Sequence, residues 1–292
     1  MIRRRFVRDH QADYPVKTLC RLVGVSRSGF YAWRSRPPSA RALANERLLA
    51  EIREIHERSR GTYGRVRMLG QLERRQISAN HKRVARLMRE AGLRGVGGPG
   101  RKGKRGTGRQ ALPAADLLCR DFTSAGPDER WVADLTEFQT LEGKLYLAGI
   151  VDLYAGRVVG WAMAERRTAE LVVDALVMAL RRRRPPAGVI HHADHGSQYT
   201  SILFCDRAAD EQIRLSFGKV GSPADNAAME AFWSTLKREL RHIHQQRVWP
   251  DRQSLRAALF DYIEVFYNRE RHQARLGHRT PAEYEAATVN VA

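Results

Sequence analysis

Three stretches in the middle of the chain are rich in the apolar, β-branched and aromatic residues that form strands. They comprise residues 131–140, 144–153 and 157–164, and turns that contain glycine separate them. Two shorter apolar runs follow at 188–192 and 213–217, and such runs are typical of buried strands. The pattern therefore predicts five strands, of which the first three form a meander.

Apolar residues at helical spacing lie between and after these strands, in residues 168–180, 201–212 and from 225 onward. We expect Thr168 to cap the first of these helices, and Asp225 or Asn226 to cap the last. A meander followed by alternating helices and strands indicates an α/β fold. Its mixed five-stranded sheet would carry flanking helices on both faces.

Residues 1–43 contain a candidate helix–turn–helix. Helical spacing is present over residues 16–23 and 28–34. Between them, Gly24 suits a left-handed turn and Ser26 is a good N-cap. In such a motif the second helix would face DNA with Arg27, Ser28, Tyr31 and Arg34. The alternative is an ordinary helical hairpin, with the aromatic residues of its second helix in the core.

A second helix–turn–helix-like domain is predicted over residues 44–95. Asn80 is a good N-cap for a helix that Gly92 ends. Its apolar stripe consists of Val84, Leu87 and Met88. The opposite face is almost entirely basic, with Lys82, Arg83, Arg86 and Arg89. Because a solvated face usually mixes charges of both signs, DNA binding is favoured over an ordinary charged face.

The net charge of +19 is concentrated at one end of the chain. Residues 1–110 carry 28 Lys and Arg against 8 Asp and Glu, whereas residues 111–292 carry 23 against 24. Residues 96–125 are predicted to be a glycine-rich linker that tracks a DNA backbone with Arg101, Lys102, Lys104 and Arg105. A polyanion-binding N-terminal part joined to a near-neutral part is the resulting interpretation.

Composition places the chain among globular proteins, with 43% hydrophobic and 28% charged residues. Its three cysteines are far apart, so they predict neither a disulfide framework nor a zinc site and favour a reducing compartment. The N-terminus lacks the apolar segment of a signal peptide, and the apolar stretch 145–155 is too short to span a bilayer. We therefore expect a cytoplasmic protein without membrane contacts.

Three acidic residues lie at the ends or in the first turns of different predicted elements. Asp134 lies within the first strand, Asp194 follows the fourth, and Glu230 lies in the first turns of the last helix. Each one alone is more often structural. Brought together, the three carboxylates would repel one another unless a cation lay among them. Oxygen ligands of this kind suit Mg²⁺ or Mn²⁺, the ions that assist phosphodiester cleavage.

The spacing of these acids is specific. Thirty-five residues separate Asp194 from Glu230, and Lys237 follows Glu230 by seven positions. Seven helical residues make about two turns, so Lys237 would lie on the same side as Glu230, about 10 Å along the helix. There its ammonium group could hold a phosphate beside the metal site.

These residues resemble the catalytic motif of the retroviral-integrase superfamily. The surrounding sequence is similar to the second-frame protein of insertion-sequence-three-type transposases. The matching motifs are Trp131-Val-Ala-Asp-Leu-Thr, His192-Ala-Asp-His-Gly-Ser-Gln-Tyr-Thr-Ser, Asp225-Asn-Ala-Ala-Met-Glu-Ala-Phe-Trp-Ser-Thr-Leu-Lys and Tyr267-Asn-Arg-Glu-Arg-His-Gln-Ala-Arg-Leu-Gly.

The resemblance implies a ribonuclease-H-like catalytic core, over residues 126–240, with a helical extension over 241–292. It further implies two Mg²⁺ or Mn²⁺ ions held by Asp134, Asp194 and Glu230, and cleavage of element ends followed by 3′-hydroxyl strand transfer. The implied partners are terminal inverted repeats, target DNA, further copies of the chain, and an upstream-frame helix–turn–helix protein. The alternatives are a nuclease of the same fold and a DNA-binding regulator with a degenerate core.

Histidines and the C-terminal motif leave two further questions. His191, His192 and His195 could suggest zinc, but no partner pair stands at ligand spacing, and adjacent strand residues point to opposite faces. His192 or His195 could instead contact DNA. For the motif that begins at Tyr267, packing on the core is favoured over direct contact with DNA.

Overall fold

The computed structural model describes residues 2–97, 116–218 and 223–289. In the described residues, six helices precede the sheet: α1 (Ile2–His10), α2 (Val16–Leu22), α3 (Arg27–Arg34), α4 (Ala40–Arg58), α5 (Arg65–Arg74) and α6 (His81–Glu90). The remaining strands and longer helices are β1 (Arg130–Thr140), β2 (Gly143–Asp152), β3 (Arg157–Ala164), α7 (Ala169–Arg183), β4 (Ile190–Ala193), α8 (Ile202–Asp210), β5 (Arg214–Phe217), α9 (Ala227–His244), α10 (Arg252–Phe260) and α11 (Pro281–Val289). The predicted linker contacts Arg101, Lys102, Lys104 and Arg105 lie outside the described residues.

The chain divides into two compact units, residues 1–51 and 52–292. The first unit has a small core of Val7, Leu19, Cys20 and Phe30. The N-cap predicted at Ser26 is confirmed, because its hydroxyl accepts the backbone N–H of Gly29 at 3.1 Å. In α3, Phe30 is buried while the four residues predicted to face DNA are exposed. One face of α3 therefore packs in the core, and DNA binding by its exposed face stays a prediction.

Helices α5 and α6 of the second unit pack against each other. Asn80 caps α6 as predicted, with its side-chain oxygen accepting the N–H of Lys82 at 2.8 Å. The stripe predicted from helical spacing is also confirmed, since Val84, Leu87 and Met88 are buried. The basic side chains of α6 are thereby turned away from this core.

The five strands form one sheet in the order β3-β2-β1-β4-β5. β1, β2 and β3 are an antiparallel meander, and β4 and β5 run parallel to β1. The sheet predicted from the apolar pattern is therefore confirmed, including its mixed character. Crossovers through α7 and α8 supply the parallel connections, as parallel pairing requires.

Helices cover both faces of the sheet because the residues of its central strand alternate between two cores. Trp131 and Ala133 pack with α7 and α8, whereas Val132 packs with α9 and α10. Asp134, next in the alternation, points toward α9.

Two predicted helix caps are wrong. Thr168 and Asn226 occupy the N-cap positions of α7 and α9, yet neither side chain caps its helix. Thr168 instead bonds the side chain of Glu170. A short 3₁₀ turn, Pro223–Asn226, precedes α9, and the buried Asp225 accepts the Nε–H of Arg120 at 2.7 Å. Tertiary partners have taken the polar atoms that local capping would have used.

The motif that begins at Tyr267 packs on the rest of the second unit, in agreement with the favoured interpretation. Asn268 donates to the carbonyl of Val158 at 2.9 Å and accepts its N–H at 3.0 Å, so it covers the edge strand β3. Arg271 forms a two-bond ion pair with Glu239 of α9 at 2.7 and 2.8 Å. The α10 helix continues into this motif as a π-helical segment, Asp261–Glu270.

Glu239 is a buried charge that several groups neutralise. Tyr262 donates to it at 2.9 Å, and Arg67 of α5 approaches it at 3.4 Å. Burial would raise the pKa of Glu239, but the bonds and charge of Arg271 outweigh burial and lower it. The carboxylate therefore joins α9, α5 and the C-terminal motif in its ionised form.

We expect Arg271→Met to lower the free energy of unfolding by about 3–5 kcal/mol, because it leaves the Glu239 charge buried without its main partner. Urea unfolding of the full chain measures the loss. The matched control is Glu211→Gln, which breaks the exposed i,i+4 pair with Arg207 and should cost less than about 1 kcal/mol. Equal losses in the two variants would contradict a stabilising role for the buried pair.

Candidate active site

Parallel pairing of β1 with β4 places two of the three predicted acids side by side. Val132 is opposite His192 in this pairing, so two residues further on Asp134 and Asp194 come to corresponding positions. In-register residues of adjacent strands are about 5 Å apart at their backbones. The two carboxylates are thus neighbours although 59 residues separate them in the chain.

The pleat of β1 points Asp134 toward α9, and Asp194 follows directly after the end of β4. His191 packs against the rings of Tyr199 and Phe204, on the face that α7 and α8 cover. His192 points the other way and bonds Ser216 Oγ at 2.8 Å and the carbonyl of Asp225 at 2.9 Å.

The start of α9 is tied to the strands beside these acids. Asn226 donates its side-chain N–H to the carbonyl of Ala133, directly before Asp134, at 2.9 Å. The His192 bond to Asp225 ties the same turn to β4. The first turns of α9, with Glu230, therefore start from a fixed point over the paired strands.

Trp233 connects α9 to the first acid. Its indole Nε1–H donates to Oδ2 of Asp134 at 3.0 Å. The other carboxylate oxygen of Asp134 accepts the backbone N–H of Leu135 at 2.7 Å. Glu230 precedes Trp233 by three residues, so the two side chains are neighbours along α9. The exposed Glu230 thus lies beside the contact between α9 and Asp134.

Asp134 holds its proton unusually tightly. Burial raises its pKa from 3.8 to about 6, and repulsion from Asp194 adds to the rise. The hydrogen bonds from Leu135 and Trp233 and the charge of Arg167 act in the opposite direction. The repulsion between the two carboxylates is an arrangement that a divalent cation would relieve.

Asp194 offers an oxygen for such a cation. Its Oδ1 atom is buried and finds no hydrogen-bond partner in the part of the chain that the structure describes. Buried carboxylate oxygens normally have partners, so an orphaned one beside a second carboxylate fits a hard cation that prefers oxygen ligands. Among the described residues, no three His, Cys, Asp or Glu side chains form one metal-binding group. Glu230 as a third ligand stays a prediction.

Lys237 lies on α9 beyond Glu230, half-buried, with its ammonium group 5.3 Å from the centre of the Phe138 ring. Burial lowers its pKa, while the charges of Glu137 and Asp134 counteract the shift. Lys237 therefore interacts with the charge of Asp134, and a phosphate-binding role beside Glu230 stays a prediction.

Two more residues lie beside the site without having been predicted as site residues from the sequence, although Tyr199 belongs to the motif that begins at His192. Tyr199 is buried, and burial raises its pKa well above 10.0, with contributions from the charges of both Asp134 and Asp194. The exposed Arg167 follows β3 and acts on Asp134 and Tyr199 through its charge. Both come from loops that only the folded sheet brings to Asp134.

Family models match most of the chain. An integrase core domain matches residues 124–223, a second integrase core model matches 230–289, and an HTH-like domain matches 43–101. The Insertion element IS600 uncharacterized 31 kDa protein of Shigella sonnei is 42% identical, over 91% of this chain and 97% of its own length. Transposase InsF for insertion sequence IS3A of Escherichia coli (strain K12) is 37% identical, over 96% and 97%. The chain belongs to the IS3 family of insertion-sequence transposases.

Two solved viral structures contain a similar chain. The HTLV-2 integrase catalytic core domain in complex with magnesium is 17% identical and covers 55% of this chain and 98% of its own, with a TM-score of 0.44. A simian T-cell lymphotropic virus intasome in complex with PP2A regulatory subunit B56 gamma is 19% identical and covers 71% and 67%, with a TM-score of 0.47. The ribonuclease-H-like class of this IS3-family chain follows from its integrase core and from its own sheet order.

The structure also bears on the expectations for the histidines, the cysteines and the membrane. Among the described residues, His192 is fully buried and cannot reach DNA, whereas His195 is exposed. The described histidines belong to no group that could hold zinc. Cys20, Cys119 and Cys205 are free thiols, and no described helix is long and apolar enough to cross a membrane.

We expect Asp194→Asn to stabilise the metal-free chain by about 1 kcal/mol at pH 8, because it removes one of two adjacent like charges. The raised pKa of Asp134, about 6 instead of 3.8, means that the folded chain binds this proton more tightly than the unfolded chain. Wild-type stability therefore falls as the pH rises through that interval. Near pH 4.5, Asp134 is protonated and the gain should vanish.

Thermal unfolding of both proteins at pH 8 and pH 4.5, in chelator, measures this difference. The matched variant Asp174→Asn, at an exposed position of α7, should show no gain at either pH. A gain for Asp194→Asn of the same size at both pH values would rule out repulsion from Asp134 as its cause.

Proposed function

We propose that this chain cleaves the ends of its insertion element and joins the resulting 3′-hydroxyl ends to target DNA, with two Mg²⁺ or Mn²⁺ ions bound by Asp134, Asp194 and Glu230. The observation that carries the proposal is the pairing of Asp134 with Asp194, in which one buried carboxylate oxygen lacks any partner within the described ranges. Membership of a transposase family with an integrase core supports the same reaction.

The donor set fits the proposed ions, since it consists of carboxylate oxygens alone. Bound there, the ions would activate the attacking hydroxyl group and stabilise the leaving oxygen. Asp134 is held at both of its oxygens, so it is ready to bind without rearrangement. Glu230 is exposed at the start of α9, and we infer that it completes the site from that side.

Two cations beside the acids are suited to the DNA backbone. Lys237 and Arg167 both act on Asp134 through their charges, from α9 and from the loop after β3. Phosphate groups at the reacting bond need such counter-charges, and an arginine adds paired donors. We infer that these residues flank the scissile strand.

We further infer that α6 binds duplex DNA at the element ends. Arg83 and Arg86 lie on this helix outside its buried stripe. Arg86 forms an exposed ion pair with Glu90 at 3.0 Å, which costs little to exchange for a phosphate. The basic segment with Arg101, Lys102, Lys104 and Arg105 would extend this contact along the backbone. Terminal inverted repeats, further copies of this chain on DNA and an upstream-frame helix–turn–helix protein are the proposed partners.

The deciding experiment measures Mg²⁺- or Mn²⁺-dependent nicking and joining of duplexes that carry the element's own terminal repeats. We expect Asp134→Asn, Asp194→Asn and Glu230→Gln each to lower the rate on the order of a thousandfold, or about 4 kcal/mol of transition-state stabilisation. Asp174→Asn, in the same domain, should stay within twofold of the wild type. Activity of Glu230→Gln at the wild-type rate would remove Glu230 from the site.

The same assay separates the rival functions. A nuclease of this fold would cut RNA–DNA hybrids in preference to element ends and would not join them. A degenerate regulator would bind the ends without cutting in either metal. Either outcome for the wild type would overturn the proposed reaction.

We expect Arg83→Ala to weaken binding of duplex DNA and to reduce the slope of log K against log salt by about 1, because each lost phosphate contact releases one counterion fewer. Fluorescence anisotropy over a salt series provides both quantities. Arg207→Ala on α8, which removes an equal charge from an exposed i,i+4 pair, is the control and should leave the slope unchanged. An unchanged slope for Arg83→Ala would place its side chain away from the DNA.

A further inference from the structure

We propose that Trp233 is a positioning residue of the metal centre, and that its indole N–H holds Asp134 in the orientation in which it shares a cation with Asp194. The inference rests on the proposed function, because it concerns the same carboxylates. It adds a residue that touches neither metal nor DNA and acts through Asp134.

The hydrogen bonds at Asp134 leave its carboxylate little freedom to rotate. Nε1 of Trp233 is 3.0 Å from Oδ2, and the backbone nitrogen of Leu135 is 2.7 Å from Oδ1. With one donor on each oxygen, a turn of the carboxylate plane breaks both bonds. Each oxygen keeps a second lone pair, so the bonds orient the group without using up its capacity for a cation. Of the two donors, only Trp233 can be removed by substitution of a side chain.

The indole ring is itself held in place by a glycine. Gly149 of β2 is the direct cross-strand partner of Asp134. A Cβ atom at this position would lie 2.7 Å from Cη2 and 3.2 Å from Cζ2 of Trp233. The ring is therefore seated directly on the backbone of β2, only 6% exposed, with Phe232 packed beside it at 4.8 Å between ring centres. In this slot the N–H has a single direction, toward Asp134.

If the indole ring of Trp233 served only packing, its N–H group would not be needed. Phenylalanine at position 233 removes the donor and also the outer ring atoms that lie against Gly149, so the control must lose the same atoms elsewhere. Residues that hydrogen-bond a metal ligand typically change metal affinity by 10–100-fold when they are replaced. The affinity for the cation, measured without DNA or turnover, therefore distinguishes positioning from packing.

The experiment compares Trp233→Phe with Trp161→Phe in the full chain. Trp161 is a fair match, because it is also buried and its Nε1 donates to a carboxylate, Oε1 of Glu264, at 2.6 Å. Mn²⁺ binding is followed by calorimetry and by the paramagnetic resonance signal of free Mn²⁺. Thermal unfolding of each variant in chelator records the loss of stability alone.

We expect Trp233→Phe to raise the Kd for Mn²⁺ about tenfold or more. Trp161→Phe should stay within twofold of the wild type, although both variants lose comparable thermal stability. An unchanged Mn²⁺ affinity in Trp233→Phe, with the same loss of stability as the control, would overturn the inference and leave the proposed function intact. Absence of saturable Mn²⁺ binding by the wild type would overturn the metal centre itself.

A second variant keeps the test decisive if Trp233→Phe does not fold. Gly149→Ala retains the indole and every carboxylate but displaces the ring from its slot. The inference requires that it too weakens Mn²⁺ binding. Wild-type affinity in a folded Gly149→Ala variant would show that the position of Trp233 does not matter to the cation.

Discussion

The parallel pairing of β1 with β4 is the constraint on which the site depends. The pairing brings Asp194, which follows the end of β4, beside Asp134, whose side chain points to the face that α9 covers. Burial raises the pKa of Asp134, and repulsion from the nearby Asp194 adds to the rise. The fold thus tolerates repulsion between two carboxylates at the place where a divalent cation would be attracted to both.

Helix α9 connects the acid site to the rest of the second unit. Its start is bonded to the residue before Asp134, and its second turn seats Trp233 on Gly149. Further along, Glu239 is bound by Arg271. The three anchors differ in chemistry, since one is an amide, one an aromatic ring in a glycine slot, and one a buried ion pair. Together they fix the rotation of α9 about its own axis and its position over the sheet. Glu230 and Lys237 both lie on this helix.

The C-terminal motif has a structural role that complements the site. Asn268 covers the edge of the sheet, and Arg271 neutralises the buried charge on α9. Arg67 of α5 reaches the same carboxylate, so the second helix–turn–helix-like domain shares an anchor with α9. Removal of Arg67 or Arg271 would therefore leave the buried Glu239 charge with fewer partners, which is costly.

Much of this architecture was determined by the sequence alone. Strands, helices, the N-caps at Ser26 and Asn80 and the stripe of α6 follow from local periodicity, and the spacing of Asp134, Asp194, Glu230 and Lys237 indicated the family and its chemistry. The tertiary structure decided which side chains meet. Asn226 bonds β1 instead of capping α9, Trp233 orients Asp134, and Arg167 approaches from a distant loop. These contacts depend on strand pairing and helix packing between segments far apart in the chain, and local periodicity carries no information about such distances.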